Sequence, residues 1–170
     1  MAVAPVSLAL GQSMPKEGLI KAAFVFNFIK FVEWPETAFE TQNSPIRLCI
    51  WGKNALGGAL ETLRNKTAKN RAIQVLYTER PEQAAGCQVL FVAENKSGSL
   101  KTIISRTQGK PILTVGDIRG FAEDGGMIGL FRSDDKMRFA INVEAARKSG
   151  LRISSQLLRL GKIVSTDGER

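Results

Sequence analysis

Apolar side chains crowd residues 22–32, Ala-Ala-Phe-Val-Phe-Asn-Phe-Ile-Lys-Phe-Val, with polar relief only from Asn27, Lys30 and the preceding Lys21. One core-facing stripe would leave the rest of such a segment polar, so the pattern predicts a helix covered on more than one side. Ser13 is placed as its N-cap, Pro15 falls in its first turn, and Pro35 after Trp34 sets its end. Beyond a polar connector at 40–45, the rhythm changes. Short apolar runs at 46–51, 73–77, 88–93 and 111–116 alternate with amphipathic stretches at 54–64 and 99–107. Nearly continuous apolar strands between helices predict a parallel sheet covered on both faces.

Residues 127–131 and 137–141 flank Arg132-Ser133-Asp134-Asp135-Lys136, a connector short enough for a hairpin. Two helical pieces are expected after it, at 143–148 and 154–164. The expected fold is an α/β three-layer sandwich, with a mostly parallel central sheet and an antiparallel hairpin near its C-terminal end. At 170 residues the chain is sized for one domain. We assign 14–165 to it, 1–13 to a leader remnant or flexible N-terminus, and 166–170 to a flexible tail.

Charge and composition then narrow the chemistry. Twenty-four cations against 16 acids give a formal +8, but the cations are scattered, with no basic tract and no interleaved aromatics to suggest nucleic acid. The chain contains no histidine. That removes histidine-activated serine or cysteine nucleophiles and the commonest transition-metal ligand together. Apolar runs stop well short of the roughly 20 residues that a membrane-spanning helix needs.

Few motifs remain. Gly52-Lys53-Asn54-Ala55-Leu56-Gly57-Gly58-Ala59 follows an apolar strand where a phosphate loop belongs, yet Gly58 replaces its lysine and Ala59 its hydroxyl. It reads as a tight strand-to-helix turn. Glu123-Asp124 and Asp134-Asp135 lie in turn-like sequence without the further spaced oxygen ligands of a calcium loop, so neither a metal nor a catalytic pair is expected. Cys49 and Cys87 are too far apart for a Cys-x-x-Cys motif, leaving two buried thiols or one disulfide. Arg152 precedes Ser154 and Ser155 at an expected helix start, where a guanidinium, a hydroxyl and backbone N–H groups suit a small anionic ligand. Trp34 is added as an apolar wall with one polar edge. Phe24, Phe28 and Phe31 are assigned to a homodimer or partner interface, the alternative being burial beneath Leu157, Leu158 and Leu160.

Taken in order, KAAFVFNFIKFVEWP, IRLCIWG, GCQVLFVA, PILTVGDIRGFAEDGGMIGL and MRFAINVEAARKSGLRISSQLLRL resemble the YfiR family over nearly the whole chain after the first dozen residues. The resemblance implies a small periplasmic protein of Gram-negative bacteria, without catalytic centre or cofactor, that represses a membrane-bound diguanylate cyclase. It also places Cys49 and Cys87 on the family's cysteine pair, which implies a disulfide. Some relatives carry another cysteine pair near residues 120–130. This chain has none there, which argues against redox sensing through that loop. A periplasmic small-anion receptor or carrier centred on Arg152 is the alternative function.

Overall fold

The computed structural model describes residues 16–166. The leader, Ser13 and Pro15 lie outside the described residues, as does the tail beyond Thr166. Helix α1 (Lys16–Phe31) is followed by strand β1 (Val32–Glu33), a 3-10 turn at Glu36–Ala38 and β2 (Ile46–Trp51). A 3-10 stretch at Ala55–Leu63 leads to β3 (Thr67–Ala68) and β4 (Arg71–Thr78). Another, at Pro81–Gly86, leads to β5 (Val89–Val92), and a third at Glu94–Ser99 runs into α2 (Leu100–Thr107) and β6 (Leu113–Gly116). The chain closes with β7 (Ile128–Ser133), β8 (Lys136–Asn142), α3 (Val143–Lys148), β9 (Arg152–Ile153), α4 (Ser155–Leu160) and β10 (Lys162–Val164).

Eight strands form the main sheet in the order β10-β8-β7-β6-β5-β2-β4-β3. From β4 to β7 neighbouring strands are parallel, while β8 returns antiparallel to β7. The sequence expectation of a mostly parallel sheet with a terminal hairpin holds. Alternation along each strand divides the core between the two faces. Ile46, Leu48 and Ile50 of β2, with Val89 and Phe91 of β5, join the core beneath α1 and the Ala55–Leu63 stretch. Cys49 and Trp51, with Leu90 and Val92, join a smaller core under Ala84, Leu100 and Ile103. The sheet is therefore covered on both sides, the third layer being built from short helices.

Three expected elements differ. Helix α1 stops at Phe31, not Trp34, because Val32 and Glu33 pair antiparallel with Ile153 and Arg152 of β9. The expected helix at 54–64 is a kinked 3-10 stretch in which Leu56, Gly57 and Gly58 have positive φ. Gly18 of α1 packs so closely there that a Cβ would stand 2.3 Å from the Leu56 carbonyl oxygen. The expected helix at 154–164 ends at Leu160, and residues 162–164 turn parallel to β8. At Gly161 between them, any Cβ would meet the Phe139 ring at 2.6 Å. Among the described residues no helix is long and apolar enough to cross a membrane.

Candidate functional site

Helix α1 buries Gly18, Ala22, Val25, Phe28 and Ile29, a three-and-four spacing that aims one side at the sheet. Phe28 is completely buried and meets Phe139 edge-on, with ring centroids 5.0 Å apart. Phe24 extends the cluster, its centroid 5.7 Å from Phe139 and 6.1 Å from Phe28. Of the three phenylalanines assigned to an interface, Phe28 thus belongs to the core, and Phe24 and Phe31 are half-buried. The latter two line a groove of about 550 Å³ between α1 and α4, with Phe28 and Leu157 on its floor and Leu160 on its rim. Leu160 is 77% exposed, and Ile163 of the edge strand is 54% exposed. The alternative expectation from the sequence placed Leu160 in a roof over α1. The available signal was Gly161, which ends the helix before that leucine can be covered.

Cys49 and Cys87 form a disulfide with Cα atoms 6.0 Å apart. It ties the middle of β2 to the second residue before β5, on the face away from α1. Both cysteines are buried.

The β1–β9 pairing brings the segments expected to hold an anion side by side, but Arg152, Ser154 and Trp34 each have a partner within the chain. Arg152 is widely exposed, with Nη1 4.0 Å from Glu33 Oε2. Ser154 caps α4, its Oγ accepting from the Leu157 N–H at 3.2 Å, and Ser155 is exposed. The Trp34 indole N–H points to the base of the sheet and donates to the Gln88 carbonyl at 3.0 Å. Buried Gln88 in turn accepts from the Arg47 N–H at 2.7 Å and donates to the Ala38 carbonyl at 2.8 Å. Trp34 therefore locks the connector before β2 onto the strand ends.

At the loop after β2, Gly52, Asn54, Leu56, Gly57 and Gly58 all have positive φ. No α-helix begins there, so no ladder of N–H groups points at a ligand. Asp134 and Asp135, also at positive φ, form the two-residue turn between β7 and β8. Among the described residues no group of three or more acidic or cysteine side chains could hold a metal.

The most perturbed ionisable groups lie on the α1 side of β4. Tyr77 donates its hydroxyl to Glu61, whose carboxylate also accepts from Arg64 Nε at 2.8 Å and Nη2 at 3.0 Å. The Arg64 bonds, then the Tyr77 bond, hold Glu61 at about 2. Partial burial, then the Glu61 bond, pushes Tyr77 up to about 12. This exposed cluster ties the 3-10 stretch to the sheet and leaves neither oxygen as a base at neutral pH.

A protein-family model described as YfiR/HmsC-like matches residues 19–162.

Proposed function

Because the chain belongs to the YfiR/HmsC-like family, we propose that it is a non-enzymatic periplasmic regulator that binds the periplasmic part of a membrane-bound diguanylate cyclase. By preferring the cyclase's inactive state, it lowers cyclic di-GMP. The observation carrying this reading is the α1–α4 groove, where Phe24, Phe31 and Leu160 present apolar surface, with Ile163 exposed on the strand that follows α4.

The energies are of the right order. Shifting a cyclase from 99% active to 99% inactive requires a differential affinity of about 5.5 kcal/mol. Burying a leucine, isoleucine or phenylalanine side chain contributes about 1.5–3 kcal/mol. With Leu160 77% and Ile163 54% exposed and Phe24 and Phe31 already largely covered, the groove offers about two such side chains, so further contacts with the cyclase add to its share before the ordering costs of association are met. The occupant with the matching chemistry is an apolar segment of the cyclase's periplasmic part. Among the described residues β10 is an edge strand of the main sheet, where an added strand could pair.

Co-purification with the cyclase from detergent-solubilised membranes tests the reading, using wild type and the Leu160→Asp/Ile163→Asp double variant. Both substituted side chains are mainly exposed, so the fold should survive. Retention should fall at least about tenfold. Equal retention of both proteins overturns the groove as the docking site. Loss of self-association with undiminished cyclase binding would reassign it to an interface between two copies of this chain.

A further inference from the structure

Strand β7 pairs with β6 only through Ile128 and Gly129, so the β7–β8 hairpin overhangs the carboxyl end of β6. The overhang, the first turns of α1 and the residues following β6 enclose a cleft of about 620 Å³. Parallel α/β sheets characteristically bind ligands outside the carboxyl ends of their strands.

A chain of ion pairs runs across this cleft. Arg132 Nη1 lies 3.5 Å from Glu17 Oε2, and Glu17 Oε1 lies 3.5 Å from Lys21 Nζ. Lys21 Nζ in turn donates to Asp117 Oδ2 at 3.2 Å. The Asp117 side chain is nine-tenths buried, and its second oxygen, Oδ1, has no hydrogen-bond partner. A buried carboxylate oxygen left without a donor is unfavourable, and a turn of the side chain that brings it to a ligand's donor is favoured for that reason. Around the pair, Glu94 and Glu123 are balanced by Arg119 and Lys162.

We propose that this cleft binds a neutral polyhydroxyl molecule of about monosaccharide size. Its nearest charges come as adjacent opposites. An ammonium approaching Asp117 meets Lys21, and a carboxylate approaching Lys21 meets Asp117 and Glu17. A hydroxyl suits both at once, because it donates to the Asp117 carboxylate while accepting from Lys21 Nζ. Neighbouring hydroxyls on the same ligand find Glu17 and Arg132. Leu130 and Met137 supply an apolar wall for the C–H face of such a molecule. The proposal does not depend on cyclase binding.

Amide chemical-shift mapping on the full-length labelled protein tests it. The probes are glucose, galactose, N-acetylglucosamine and ribitol at millimolar concentrations, with butylamine and acetate as charged controls. At least one neutral polyol should shift Gly120, Gly129 and their neighbours, and neither charged control should. Asp117→Asn should weaken that binding at least about tenfold, the scale of one lost charge-assisted hydrogen bond. Met137→Trp narrows the cleft without touching the ion pair and should also abolish binding, so it decides the matter if Asp117→Asn fails to fold. Absence of shifts with every polyol, shifts confined to another surface, undiminished binding in both variants, or binding of only a charged control would each overturn the proposal.

Discussion

The two faces of the sheet are held by different means. On the α1 face, a sixteen-residue helix sets Phe24 and Phe28 against Phe139, and the core runs from the first helix to Leu157. On the other face, the covering pieces are short, and the Cys49–Cys87 bond links the sheet to the chain entering β5. Aromatic packing holds one face and a crosslink strengthens the other. The face with the larger core also carries the exposed Leu160 and Ile163, so partner docking is expected where the fold already has apolar surface in excess.

Removing the central ring should give the largest change. Phe28→Ala leaves a cavity beneath α1 and should cost about 3–5 kcal/mol in urea denaturation. A loss near 1 kcal/mol would mean that the α1 face does not rest on its aromatic cluster.

Opening the crosslink tests the opposite face. With a sequence separation of 38, loss of the disulfide should cost about 4 kcal/mol on the chain-entropy model. The comparison is between wild type and Cys49→Ala/Cys87→Ala, each melted with and without reductant. Reductant should lower the melting temperature of wild type alone. Equal stability of the two proteins would remove the crosslink from the account of this face.

These two elements were unequally legible in the sequence. The central strands were readable because residues buried on both faces leave nearly unbroken apolar runs, as at 46–51 and 88–93. The end of α1 was not, because Val32 pairs with Ile153, 121 positions away (153 − 32), and no local pattern records that. Strand β10 was read as helix because its three residues gain strand geometry only beside β8. At the candidate sites, Phe24 and Phe31 were visible as surplus apolar residues. Asp117 was overlooked, since a lone acid after a strand is unremarkable until Lys21 of α1 is brought against it.

Asn142 ends the second strand of the hairpin and ties it to α3 and to the loop before β7. Completely buried, it caps α3 by accepting from the Ala145 N–H at 3.0 Å and donates to the Ala122 carbonyl and Thr166 Oγ1 at 2.9 and 2.8 Å. Asn142→Ala removes the cap and strands the Ala122 carbonyl, for an expected loss of about 1–3 kcal/mol by thermal or chemical denaturation. A change below about 0.5 kcal/mol, the scale of an ordinary surface substitution, would show that the network is dispensable.

The smallest expected effect belongs to Glu61. Its folded value of about 2 lies below the ordinary 4.5, so its contribution is complete above 4.5 and fades as pH falls towards 2. For a carboxylate this exposed, the contribution should stay within about 1 kcal/mol. Denaturation midpoints of wild type and Glu61→Gln should converge across that interval. A gap that persists to the acid end would assign the difference to packing. Tyr77 behaves oppositely, keeping its contribution below 10 and losing it as pH rises towards 12.

The long reach of α1's contacts has a consequence for the order of synthesis. Synthesis runs from the N-terminus, so α1 precedes the partners it packs on: Phe139 and Ser154, whose N–H bonds the Phe31 carbonyl at 3.0 Å, follow more than a hundred residues later. The segment at 55–63 covers only part of the helix in the meantime. Nascent chains of this protein therefore carry an exposed phenylalanine cluster until residues 139–154 have been made, and a holding chaperone would find its binding site at this helix.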